Sequence, residues 1–151
     1  MSFIGQYIAR LDVKNRVFLP APFRRVLQES DKQRLIIRKD YFENCLIIYP
    51  LNQWMAEIEK VRSKLNRFDA SQQMVYRKLI SEAQEVILDN SGRMLIPRYL
   101  LDKVGISQDI LFVGMEQTIE MWAPAVADAE NQQHFMTDAD FAGELKNFMT
   151  K

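Results

Sequence analysis

The sequence holds one cysteine and one histidine among its 151 residues. A disulfide within the chain is therefore excluded, and so is a cysteine-rich metal site. Cys45 lies in the apolar run CLIIY and His134 in the polar stretch NQQHFM. A thiol nucleophile here has no neighbouring base, so Cys45 reads as a buried strand residue and His134 as a solvated one. A glycine-rich phosphate loop, a metal-ligand spacing, a catalytic triad and paired carboxylates in an apolar setting are also missing. These absences argue against an enzyme and call for no cofactor, no metal and no small-molecule substrate. No apolar run approaches the roughly 18 residues that read as a membrane span. The opening MSFIGQYIAR lacks the basic and apolar regions of a signal peptide, so the cytoplasm is the expected compartment and a membrane is not an expected partner. An excess of one charge is missing too: Lys plus Arg number 20, Asp plus Glu number 20, and the net charge is zero. Proteins that coat nucleic acid without specificity are normally basic. A neutral chain that binds DNA must gather its cations locally.

What the sequence does have is a duplication. LDVKNRVFLP, starting at Leu11, returns as LDNSGRMLIP, starting at Leu88, with an offset of 77 residues from Asp12 to Asp89. Asp12, Arg16, Leu19 and Pro20 align with Asp89, Arg93, Ile96 and Pro97. An aspartate opening a tight turn accepts hydrogen bonds from backbone N–H groups two or three residues on. The fourth position then tends to need φ > 0, which glycine adopts freely and asparagine tolerates. Asn15 and Gly92 are two answers to that one demand. Arg16 and Arg93 follow, each opening a strand whose apolar residues partly alternate, and so stand at a sheet rim beside the turn. There they reach solvent or a phosphate, or they simply close the turn by pairing with their aspartates.

The halves match beyond the turns. Before each lies a strand-like run, IGQYIARLD in the first half and EVILD in the second. After each lies a short helix with proline at its first turn, PAPFRRVLQ and PRYLLDKVG, where the missing N–H costs nothing. Each half closes with two more apolar runs that read as a hairpin, RLIIR with CLIIYP and ILFVGM with TIEMWAP. Between the halves, Trp54, Ile58, Val61, Leu65 and Phe68 recur at helical spacing. A second helix is expected after them with Asp69 or Ser71 as its N-cap, giving a helical hairpin packed on the sheets. A weaker pattern ends the chain, AVADAENQQ and then TDADFAGELKNFM, with Phe141, Leu145 and Phe148 on one face. The expected divisions are a first repeat over 6–52, connecting helices over 53–80, a second repeat over 81–124 and a helical segment over 125–151.

The stretches LDVKNRVFLP, CLIIYPLNQW, YRKLISEAQE, LDNSGRMLIP, VGISQDILFVGM and IEMW resemble, in register from about Phe3 to Trp122, the MraZ family of bacterial transcriptional regulators. That resemblance implies an α+β fold with a mainly β core. It would be built from two pseudo-symmetric swapped-hairpin β-α-β repeats of the AbrB type, closing a small barrel flanked by helical hairpins. It implies assembly into a closed ring and binding to direct repeats in promoter DNA, upstream of the chain's own operon in the division and cell-wall gene cluster. The protein would then sit in the cytoplasm, on the nucleoid. The family's DNA-contacting turn maps onto Asp12 and Arg16, and onto Asp89 and Arg93. Lys14 would add a phosphate contact, and its counterpart Ser91 only a hydroxyl, while Asn15 and Gly92 shape the turns. Family members usually carry glycine where this chain has Asn15, so a side chain is added on the expected DNA face. The first copy is accordingly expected to make the more intimate contact. Arg98 and Lys103 join the cationic candidates of the second half, and Arg24 and Arg25 face DNA, solvent or a subunit interface. The competing reading is a ring-forming structural or protein-interaction module without specific DNA binding. An antitoxin-like dimer of the same fold class is a third, weakened by the presence of two repeats in one chain.

Overall fold

The computed structural model describes residues 2–29, 34–127 and 135–151. His134 lies outside them. The first half runs β1 (Gln6–Arg10), β2 (Arg16–Phe18), α1 (Ala21–Glu29), β3 (Arg34–Lys39) and β4 (Leu46–Pro50). Two helices follow, α2 (Leu51–Lys64) and α3 (Ala70–Ser81). The second half repeats the order with β5 (Gln84–Ile87), β6 (Arg93–Leu95), α4 (Arg98–Lys103), β7 (Asp109–Gly114) and β8 (Ile119–Trp122), then α5 (Pro124–Ala127) and α6 (Asp138–Met149).

The halves do not form separate sheets. One antiparallel sheet of six strands runs β1-β7-β8-β4-β3-β5, so the first strand of each half pairs with the other half's hairpin. The two strands that follow the turns, β2 and β6, pair with each other. Arg16 faces Leu95 and Phe18 faces Arg93, so exchanging each residue for its counterpart 77 positions away returns the same ladder. The fold is thus α+β with a mainly β core and an exchange of strands between repeats. Among the described residues β1 and β5 end the six-stranded ladder, and the β2–β6 pair lies against those two strands as a separate ribbon.

Burial explains the strand sequences. The middle strands are covered on both faces. On one face Leu35, Ile37, Leu46, Ile48, Ile110 and Phe112 meet α1, α4 and the inner side of the β2–β6 ribbon. On the other, Ile36, Cys45, Ile47, Tyr49 and Val113 meet Trp54 and Ile58 of α2 and Leu79 of α3. A strand buried on both faces reads as an unbroken apolar run. Cys45 is fully buried, and burial drives its thiol pKa far up, which leaves it an inert core residue. Phe23 of α1 is buried edge-on against Phe3 and Tyr7, at centroid distances of 5.6 and 5.3 Å.

The connecting helices depart from the sequence pattern in one respect. The apolar period runs to Phe68, but α2 stops at Lys64, and Leu65 is extended at φ −89°, ψ 134°. The Asn66 carboxamide accepts the Phe68 amide at 3.0 Å and starts a turn that ends in the Asp69 cap. Phe68 is left 90% exposed. Asp69, not Ser71, is the N-cap of α3, its carboxylate accepting the Gln72 amide at 3.1 Å. An asparagine and an aspartate offering side-chain acceptors to the backbone outcompete one further helical turn.

Truncating Phe23 removes the ring that anchors α1 and the N-terminal segment to the sheet. Phe23→Ala is expected to cost about 3–5 kcal/mol, the usual range for a buried phenylalanine. Urea unfolding followed by tryptophan fluorescence measures this, and a loss below about 1 kcal/mol would contradict the packing described.

Candidate nucleic-acid interface

Both turns are built the same way from their aspartates. Asp12 Oδ1 accepts the amides of Lys14 and Arg16, each at 2.9 Å. Asp89 Oδ1 accepts the amides of Ser91 and Arg93, also at 2.9 Å. The other carboxylate oxygen accepts the arginine side chain through Nε, at 2.8 Å in the first copy and 3.1 Å in the second. The fourth residue closes the turn at positive φ, 65° for Asn15 and 89° for Gly92, as the repeat required. Its carbonyl then reaches across the molecule. The Leu19 amide donates to the Gly92 carbonyl, and the Ile96 amide donates to the Asn15 carbonyl, both at 3.0 Å. Each turn is therefore held by its own aspartate and by the other half's chain.

Asp12 and Arg16 do pair, so the aspartate closes the turn as the simplest reading of the spacing has it. The pairing uses only Nε. The two terminal nitrogens of Arg16 and of Arg93 have no hydrogen-bond partner among the described residues. The aspartate thus fixes the guanidinium plane from one side and leaves its fork open on the other, the edge that recognises phosphate or guanine. Because β2 and β6 are antiparallel, Arg16, Phe18, Arg93 and Leu95 share one face of the ribbon, and Val17 and Met94 fill the other. Val17 and Met94 are buried, whereas Phe18 and Leu95 are exposed. Arg16 and Arg93 are diagonal neighbours on that face, about 7–8 Å apart by strand geometry. The Arg93 guanidinium also lies 5.8 Å from the Phe18 ring centroid, within cation–π range. Exposed Phe18 and Leu95 were not singled out by the motif. The signal was present, since in RVF and RML the third residue shares the arginine's face by strand alternation.

The remaining candidates divide. Lys14 and Ser91 are exposed at the turn tips, their amides held by the aspartates. Arg25 is exposed on α1. Arg24 donates through Nη1 to the Leu19 carbonyl, and its stem lies over Gly92, where a Cβ would stand 2.5 Å from Arg24 Cδ. Arg98 donates to the Asn15 side-chain oxygen at 2.6 Å and to the Ile106 carbonyl at 3.2 Å. The two turns are thus each braced by an arginine of the opposite half, by different means. Glycine leaves room for the Arg24 stem, and asparagine supplies an acceptor for Arg98. Lys103 is not gathered with the turns; it pairs with Glu82 after α3, at 3.1 Å.

A family model described as MraZ protein and antitoxin-like matches residues 2–78 and again residues 79–137, in two copies as the duplicated turn requires. The chain belongs to the MraZ family. It is 42% identical to the Transcriptional regulator MraZ of Phocaeicola vulgatus over 149 residues, covering 99% of this chain and 94% of that protein. The protein of the same name from Bacteroides thetaiotaomicron is 40% identical over 99% of this chain and 93% of its own length. That from Syntrophobacter fumaroxidans is 35% identical over 97% and 93%. MraZ is a family of transcriptional regulators and not of enzymes.

Two predictions follow from the turn chemistry. The carboxyls of Asp12 and Asp89 sit below the ordinary aspartate range, chiefly through the amide hydrogen bonds of Arg16 and Arg93. A carboxyl with a depressed folded-state pKa contributes its stability above the unfolded value, about 3.9, and loses it as the pH falls through the folded value. The turns are therefore expected to stay intact from neutral pH down to about pH 4 and to loosen only in stronger acid. An NMR titration of the two carboxyl carbons checks this, and midpoints at or above the ordinary value would contradict it. Gly92→Ala places a side chain at positive φ, at a cost of about 1–2 kcal/mol, and displaces Arg24. Asn15→Gly is expected to cost less, because glycine keeps the backbone and only the Arg98 bond is lost. Chemical denaturation of the two variants should rank them in that order.

Proposed function

We propose that this chain is a sequence-specific DNA-binding transcriptional regulator that binds direct repeats upstream of its own operon, in the division and cell-wall gene cluster. The reading places it in the cytoplasm, on the nucleoid, as a closed homo-oligomeric ring that presents several copies of the β2–β6 ribbon to the DNA. The observation that carries it is the pair of aspartate-held arginine forks on one exposed ribbon face. A two-stranded ribbon fits the major groove of B-DNA, and an arginine fork reads the O6 and N7 of guanine. Lys14 adds a phosphate contact at the tip of the first turn, and Phe18 and Leu95 offer apolar surface to thymine methyl groups or sugars.

The zero net charge gives a reason for the ring. One ribbon supplies few phosphate contacts and binds weakly at physiological salt. Several ribbons on a rigid ring, matched to evenly spaced repeats, convert later contacts into intramolecular ones and raise the overall affinity steeply. The neutral charge also favours the alternative of a ring without specific DNA binding. A mobility-shift assay on the DNA upstream of the gene separates the two.

The quantitative test is a salt titration. Each neutralised phosphate contributes about −0.9 to the slope of log K against log salt. Arg16→Ala and Arg93→Ala are each expected to weaken binding at least tenfold and to discriminate less between the operator and a scrambled sequence. Lys14→Ala is expected to flatten the slope by about one contact per bound ribbon and to leave that discrimination intact. If both arginine variants bind with wild-type affinity, slope and discrimination, the ribbon is not the DNA-binding surface.

A further inference from the structure

The C-terminal helix α6 spans twelve residues and buries none of them. A helix of that length is marginal alone in water and draws its stability from a packed apolar face. It has such a face. Phe141, Leu145 and Phe148 recur at i, i+4 and i+7, and all three are exposed, Phe141 at 55% and Phe148 at 66%. Asp138, Asp140 and Glu144 make the same helix acidic, most of all in its first turn. These are the marks of a helix that docks in a groove: apolar anchors at that spacing beside a charged edge.

The chain carries a groove of matching character. It runs between α2 and α3 over the end of β3 and encloses about 740 Å³. Val61, Val75 and Leu79 form its apolar walls; five cations, among them Arg38, Lys60 and Lys78, line it against three carboxylates, Asp40, Glu57 and Glu82, the last paired with Lys78 and Lys103, so a net positive charge remains. Among the described residues Arg38 is the one charged residue that is buried, at 8% exposure. Its Nε donates to the Lys39 carbonyl at 2.9 Å, and its guanidinium lies 4.1 Å from the Tyr41 ring centroid. Its Nη1 is buried without a hydrogen-bond partner among the described residues. A buried guanidinium nitrogen without a hydrogen-bond partner is costly, and further negative charge in the groove favours the charged Arg38 beside it. The chain's own α6 does not lie there: Phe141 stands beside Val113 and Trp122, at the β7–β8 end of the sheet.

We propose that the α2–α3 groove of one copy receives the acidic amphipathic helix α6 of a second copy. The inference rests on the ring reading above and names the surfaces that would join neighbours. A helix and a groove at different places on the chain make a head-to-tail contact, and head-to-tail contacts close into rings when the rotation per step allows it. Charge sets the direction of docking, the acidic first turn of α6 meeting the lysines and Arg38.

The test uses two full-length variants, both altered at exposed positions so that folding is spared. F141D/F148D spoils the helix and keeps the groove; V75D spoils the groove and keeps the helix. By light scattering after gel filtration, the wild type is expected to be an oligomer and each variant a single chain of 17.8 kDa, with unchanged circular dichroism. Mixed in equal amounts, the two variants are expected to form a species of two chains, the sound helix of one filling the sound groove of the other. If either variant keeps the wild-type mass, or if mixing yields no two-chain species, the inference falls and the ring reading stands on other surfaces. A wild-type chain that is itself monomeric overturns both. Loss of DNA binding in Arg16→Ala with the oligomer intact leaves this inference untouched, so assembly and DNA contact are tested apart.

Discussion

The structure depends on the crossing at the β2–β6 ribbon. Three residues of each half pair there, and the carbonyls of Asn15 and Gly92 take amide protons from the opposite half on either side. The strands are too short to be stable as an isolated hairpin. They persist because Val17 and Met94 point into the core and because each strand enters from a turn already closed by an aspartate. The crossing in turn obliges β1 to join β7 and β5 to join β3, and the six-stranded sheet follows. One carboxylate in each half thus shapes a turn, starts a strand and aims an arginine.

The same crossing makes the two turns unequal. The Asn15 side chain accepts a hydrogen bond from Arg98 at an exposed position, where Gly92 has no side chain to offer. Gly92 yields its space to the stem of Arg24. The brace in each case comes from the helix of the other half, so the alignment of one turn on the other cannot reveal it. Position by position, Arg24 aligns with Leu101 and Arg98 with Ala21, and the two braces have no counterparts in the repeat.

Charge is distributed by the same economy. Arg16 and Arg93 each spend one nitrogen on an aspartate and keep two outward. Each carboxylate cancels the charge of its own arginine without covering the fork. A chain of zero net charge can in this way display directed cations. Lys103, which composition alone would have counted with the DNA-facing cations, pairs with Glu82.

By itself, the sequence determined the local chemistry. The Asp-x-x-x-Arg spacing, the positive-φ demand at Asn15 and Gly92, an N-cap at Asp69 or Ser71 and the apolar runs of β3 and β4 were all legible, because each depends on neighbours within a few residues or on burial of a whole strand. The repeat also made the order of elements legible, since two equal halves of this length cannot each bury a core alone. Tertiary structure decided the partners. Which strand crosses to which half, the shared face of Arg16, Phe18, Arg93 and Leu95, the braces from Arg24 and Arg98, and the uncovered face of α6 all join residues tens of positions apart. The early end of α2 belongs with them, because there a competing side-chain turn overrode a good apolar period. Periodicity records that a face is to be covered; only the folded chain decides what covers it.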